Sequence, residues 1–315
     1  MKVSVLDIGA TTIDLLLATV GAGGLGSRSE SQCHVRLGEG TLLSGTISPD
    51  AWSSALTGVE HLLAHARAAG SDHLIAVATS VVREASNGAA FRETLAHSYG
   101  LRVRVLSSSE ESALAYRGAC SALAAAANAV VVVDLGGGCV NFAAGHGRSI
   151  AYATSLPLGT IRLLPAFSPA AVLVPADARA LDRLIRSSTA SIAAQLAHLQ
   201  PLRVVFCSGA ARSARKYAMR RSDYPGYTGI VDRDALARAA REMIGAPIEA
   251  LLERGARPEH ADALAIATTL MGAIMDVLGM HEALVVDRGL RDGVALDEFD
   301  RMCATLPERP SARPK

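Results

Sequence analysis

Apolar runs that end abruptly in an aspartate followed by glycine or small residues set the pattern of this 315-residue chain. From Ala129 five apolar residues lead into Asp134 and then Gly136-Gly137-Gly138, which predicts a buried strand stopping in a tight, backbone-exposed turn. A second copy opens the chain, where Val3-Ser-Val-Leu-Asp7-Ile-Gly9-Ala-Thr11-Thr12 again joins an apolar strand, an acid, a glycine and small hydroxylated residues. Two such turns predict two similar half-molecules whose loops face each other, and the cleft between them is the natural ligand site.

The remaining pattern is α/β. Strands are expected at 3–6, 13–19 and 33–37, with a Gly-rich hairpin at 21–26. Pro49 after Ser48 starts a helix over 51–69, and the buried strand 74–78 runs into a loop carrying Arg83. A helix over 89–99 and a strand over 101–106 follow, an alternation that indicates layered strands and helices. Ser107 with Glu110 and Glu111 marks another helix start, expected to continue through the alanines at 124–127. In the second half, strands are expected at 140–144, 149–154, 203–207 and 282–286, and helices at 176–199, 232–254 and 258–278. A turn over 155–162 enters a short helix, 165–175 and 220–229 read as loops, and Ser208–Ser213 forms a third small-residue turn. The chain is expected to close on a turn over 287–293, giving domains at 1–122 and 123–305 and a disordered tail at 306–315.

Composition narrows the functional classes. Half the residues are hydrophobic and 19% are charged, a core-forming mixture, and a net charge of +1 gives no global field to recruit nucleic acid. A polyanion would therefore be met in a focused site. Lys2, Lys216 and Lys315 are the only lysines, which leaves arginine to read phosphate, although genomic base composition also explains that bias. Five scattered cysteines without a C-x-x-C pair predict neither a zinc site nor a disulfide framework. Asp7 and Asp14 interrupt the first apolar run, so no signal peptide is read there, and the uncharged stretch 263–275 is too short to cross a bilayer. A cytoplasmic protein is expected.

The chemistry centres on the paired turns. Glycines let the main chain approach a ligand, and successive N–H groups form a concave nest for phosphate oxygens. Asp7 and Asp134 at the strand ends suit a hydrated divalent cation. A Gly-rich hairpin with a capping aspartate is the structural alternative. Cys139 reads as a packed thiol, because no His or Lys in the turn would activate it. His61 and His65 read as the solvated face of a helix.

The ordered segments VLDIGATT, ATSVVREASNG, VLSSSEESALAY, VVVDLGGG, SLPLGTIRL, CSGAARSARKYA and DRGLRDGV resemble the exopolyphosphatase and guanosine pentaphosphate phosphohydrolase (Ppx/GppA) family over most of residues 1–295. The resemblance implies two ribonuclease-H-like domains of the actin and sugar-kinase superfamily, with the active site in the interdomain cleft. It implies magnesium-dependent hydrolysis of a terminal phosphoanhydride of polyphosphate or guanosine pentaphosphate, with Glu111 as the base that readies water. Asp7 and Asp134 would hold Mg²⁺. Gly136, Gly137, Gly138 and Cys139 would meet the terminal phosphate, Gly9, Thr11 and Thr12 would close the opposite side, and Arg83 would clamp phosphate oxygens. A homodimer is expected, with no DNA or membrane partner.

Departures from the family pattern surround the same cleft. Cys139 and Asn141 stand where a Ser and a Glu are usual, Ala10-Thr11 replace Ser-Asn, Ser108 replaces a Gly, and His260 replaces an Arg. They open an alternative, a catalytically weakened protein that binds polyphosphate or nucleotide in a regulatory role. A phosphotransferase of the same superfamily ranks last, since no sugar-reading domain is evident. The missing additional helical domain of longer members implies a short-chain or nucleotide preference.

Overall fold

In the computed structural model, which describes residues 1–123, 129–199, 202–220 and 229–305, the chain forms two mixed sheets with helices packed on them. The first half supplies β1 (Lys2–Ile8), β2 (Thr12–Gly21), β3 (Gly24–His34), β4 (His73–Ala78) and β5 (Val103–Val105). Its helices are α1 (Thr41–Ser44), α2 (Pro49–Ala68), α3 (Ser80–Glu84), α4 (Gly88–Tyr99) and α5 (Ser108–Cys120). The second half supplies β6 (Ala129–Leu135), β7 (Val140–His146), β8 (Ser149–Leu156), β9 (Leu202–Cys207), β10 (Ile230–Asp232) and β11 (Glu282–Val285). Its helices are α6 (Thr160–Phe167), α7 (Pro175–Leu196), α8 (Gly209–Ala218), α9 (Arg233–Met243), α10 (Ile248–Glu253), α11 (Leu264–Val277) and α12 (Leu290–Thr305).

The sheets repeat one plan. Their orders are β3-β2-β1-β4-β5 and β10-β11-β9-β6-β7-β8, with β1 and β6 in equivalent central positions. Each central strand pairs antiparallel with the strand after it and parallel with β4 or β9. Register makes the copy residue-specific: Asp7 lies opposite Asp14, and Asp134 lies opposite Asn141. Central strands buried on both faces explain the near-continuous apolar runs.

One core packs α2 and α4 on the first sheet, and another packs α7, α9 and α11 on the second. Between the sheets lie α5 and α12. Leu114, Val294 and Ala295 pack with Val3, Val5 and Leu16 of the first sheet, whereas Tyr116 and Ala119 pack with Val130 and Val132 of the second. Helix α5 therefore carries Glu111 at its first turn while wedged between the halves, and the last helix returns from the second half to the first, across the partition expected at 122/123.

Several elements differ from the sequence expectation for identifiable reasons. The third strand is Gly24–His34, continuing straight from the hairpin, and Val35 and Leu37 beyond it are buried in loop. The strand expected over 101–106 shortens to Val103–Val105. Residues read as loop after β4 form α3, and α6 continues through Pro165 to Phe167. The helix expected over 232–254 is two, broken where Gly245 at φ +75° and Pro247 end the first. The helix expected over 258–278 is a short turn at Pro258–His260 followed by α11. The closing turn is mostly the start of α12, because Gly293 is a packing residue: a Cβ there would run into the backbone of Leu114 on α5. The alanines at 124–127, most of the 220–229 loop and the tail lie outside the described residues. No described helix is long and apolar enough to cross a membrane.

Candidate active site

The two aspartate-bearing turns meet. Gly9 N–H donates to Thr12 O at 3.0 Å and Gly136 N–H donates to Cys139 O at 2.9 Å, so each half closes the same tight turn after its central strand. A Cβ on Gly137 would lie 2.5 Å from Thr11 Oγ1 and 3.2 Å from Ala10 Cβ, leaving no room for a side chain where the loops touch. The cavity beside them, about 160 Å³, is lined by Asp7, Asp134, Glu111 and both turns. This geometry corrects one expected donor, Gly136. The Gly9 and Gly136 N–H groups close the turns, and the free main-chain donors are those of Ala10, Thr11, Gly137 and Gly138.

Second-half contacts hold the glycine loop in shape. Thr160 N–H and Ile161 N–H donate to Gly136 O and Gly137 O at 3.1 and 2.9 Å, and Arg162 Nε donates to Gly138 O at 2.8 Å. Arg162 also pairs with Glu84 of the first half at 2.6 Å, and Arg36 pairs with Asp262 at 2.8 Å across the cleft mouth. Cys139 is buried on the cavity wall, and burial pushes its thiol up from the ordinary range, which fits packing rather than nucleophilic chemistry. Thr12 Oγ1 donates to Asp14 at 2.6 Å and so supports a neighbouring acid.

The Glu110–Glu111 pair divides its work. Ser107 Oγ accepts from Glu110 N–H and Glu110 accepts from Ser107 N–H, a capping box that, with Arg104 at 2.6 Å, holds the Glu110 carboxyl down at about 2. Glu111, 6% exposed, faces the cavity instead. Its Oε2 accepts from Arg83 at 3.0 Å and its Oε1 accepts from Asn141 at 2.9 Å. Arg83 also donates to Leu106 O at 2.6 Å and is not among the cavity-lining residues. The structure thus places it behind Glu111, as a holder of that carboxylate, and not as a clamp on ligand oxygens.

Electrostatics single out the aspartates. Burial, opposed by Arg291 and reinforced by Asp14, Glu111 and Asp134, pushes the Asp7 carboxyl up to about 8. Burial and Glu111 push Asp134 up to about 6, against hydrogen bonds from Cys207 and Asn141. Asp7 Oδ1 is buried without a hydrogen-bond partner. Buried, mutually repelling carboxylates, one of them with an unpartnered oxygen, are what a hard cation relieves, so the pair fits Mg²⁺, which takes one or two protein carboxylates and completes its shell with water and phosphate. No cluster of three His, Cys, Asp or Glu ligands occurs among the described residues.

Sequence reasoning missed the counter-charge. Buried Arg291 lies 3.3 Å from Asp14, 2.9 Å from Glu30 and 3.9 Å from Asp7, tying α12 to the first sheet at the site. The signal was present as Asp14 inside an otherwise apolar strand, an acid that needed a partner.

Two halves that repeat one strand plan and close matching tight turns over a buried acid pair define a two-sheet α/β protein. The model of the Ppx/GppA phosphatase family matches residues 17–302, and the chain belongs to that family. It is 31% identical over 170 residues to exopolyphosphatase 1 of Mycobacterium leprae, covering 54% of this chain and 50% of that protein. It is 34% identical over 175 residues to exopolyphosphatase 2 of Mycobacterium tuberculosis, covering 51% and 53%. The chain thus spans about half the length of these curated relatives. An exopolyphosphatase structure from Cytophaga hutchinsonii superposes with a TM-score of 0.85 at 20% identity over 96% of this chain and 98% of that one, a likeness of fold.

Proposed function

We propose that this protein is a magnesium-dependent exopolyphosphatase-type hydrolase that releases the end phosphate of polyphosphate, with guanosine pentaphosphate as the alternative substrate. The observation that carries this reading is the convergence of Glu111, Asp7, Asp134 and the Gly137–Gly138 amides on one cavity. Water must attack a phosphorus ringed by negative oxygens, so positioning and charge neutralisation do most of the work. The Gly137, Gly138, Ala10 and Thr11 amides orient the terminal phosphate. Glu111, fixed by Arg83 and Asn141, retains lone pairs for a water and takes its proton. Asp7 and Asp134 would hold Mg²⁺, which neutralises phosphate charge when bound. Phosphate release from polyphosphates of several lengths and from guanosine tetra- and pentaphosphate tests the reading. Magnesium-dependent release from polyphosphate is expected, and no release from any of them contradicts it.

A second reading, the weakened binding protein, draws on Asn141, which brings no charge to the metal side. Asn141 instead donates to both Glu111 and Asp134. Asn141→Glu would remove those donors and bury a third carboxylate beside them, so we expect phosphate release to fall. A rise would favour the weakened reading.

A further inference from the structure

We propose that the turn after β9 and the start of α8 form a second phosphate subsite, in which Arg212 and Ser213 of α8 bind the leaving-group phosphates of the substrate; this rests on the hydrolase reading. Strands β6 and β9 are parallel neighbours with Asp134 opposite Cys207, so the turns that follow them stand side by side, about 4.8 Å apart at the strand ends. A linear phosphate chain whose end group sits on Gly137–Gly138 lays its next groups across the neighbouring turn.

That turn is built to receive them. Ser208 adopts φ +117°, a conformation L-residues rarely hold, and its Oγ caps Ala211 N–H at 3.1 Å. The Gly209 and Ala210 amides, at the positive end of ten-residue α8, line the cavity without a described acceptor. Ser213 is 6% exposed and lines the cavity, yet its hydroxyl has no hydrogen-bond partner, not even the carbonyl one turn back. An orphaned buried hydroxyl facing a cavity is a group waiting for a ligand. Among the cavity arginines, Arg36 and Arg291 are ion-paired and Arg288 donates to Ser121 O, whereas the Arg212 side chain makes no hydrogen bond or close ion pair among the described residues and interacts with Glu30 only through space. The cavity arginine whose donors are left open is thus Arg212, one strand over from Asp134.

The test uses calorimetric titration of tripolyphosphate and of orthophosphate, each with Mg²⁺, into the Glu111→Gln protein, in which turnover is slowed. Adding Arg212→Gln is expected to weaken tripolyphosphate on the order of tenfold to a hundredfold, the range for losing a charged hydrogen-bond donor, and to leave orthophosphate within about twofold. Adding Ser213→Ala is expected to weaken tripolyphosphate by a smaller factor while Tm holds or rises, because it removes an unsatisfied hydroxyl. Unchanged tripolyphosphate affinity in Arg212→Gln, or an equal loss for both ligands, overturns the subsite. Tight tripolyphosphate binding that depends on Arg212, in a wild-type protein that releases no phosphate, overturns only the hydrolase reading.

Discussion

Glu111→Gln is expected to lower kcat by a factor on the order of 10² to 10⁴, the usual contribution of a positioned base, with KM little changed. The substitution keeps volume, and the amide oxygen still accepts from Arg83, so the cavity wall survives. What disappears is the capacity to take a proton from water. The split matters, because loss of a residue that merely supported the helix start would lower stability and raise KM. Glu110 already performs the capping, through Ser107 and Arg104, which leaves Glu111 free of that duty. Phosphate release over a range of substrate concentrations gives both constants, and equal kcat in the two proteins would remove Glu111 from the mechanism.

Asp7→Asn is expected to abolish magnesium-dependent release while making the metal-free protein more stable at alkaline pH. The sign follows from the raised carboxyl. Its pKa is about 8 in the folded protein against 3.8 unfolded, so the folded state holds the proton more tightly. Stability from that group is fully present below about 3.8 and falls as pH rises through about 8. Asparagine carries no charge and removes that loss, and Arg291 keeps Asp14 and Glu30 as partners. Without magnesium, wild-type Tm should therefore drop between pH 6 and pH 8.5 by more than the variant's. Parallel curves would mean that Asp7 is not held against its own charge. A site that is destabilising when empty is the usual cost of keeping function in a buried acid pair.

Much of this was legible in the chain because duplication wrote it twice. The strand–Asp–Gly turns at Asp7 and Asp134 predicted facing half-molecules, and the two sheets repeat one strand order. The serine and acids at 107–111 located the helix that carries Glu111. The rest depended on long-range pairing that local pattern does not encode. Arg83 read as a loop cation that clamps phosphate oxygens, yet it folds back on Glu111 across 28 positions. Asn141 read as a lost charge, yet register places it opposite Asp134 and within reach of Glu111. Gly289 and Gly293 read as turn residues because glycine usually breaks helices. Here Gly293, facing Gly118 of α5, lets α12 approach so closely that a Cβ on either would strike the other segment's backbone. Missing that helix also hid Arg291, the counter-charge it brings to the aspartates.

The central claim is that Asp7 and Asp134 hold a cation against phosphate gripped by the glycine loop. Its most direct test is calorimetric titration of tripolyphosphate into Glu111→Gln with and without Mg²⁺, repeated after Asp134→Asn. Magnesium should tighten binding at least about tenfold, more than 1.4 kcal/mol, and the gain should vanish with Asp134→Asn. Equal affinity with and without magnesium would contradict the account.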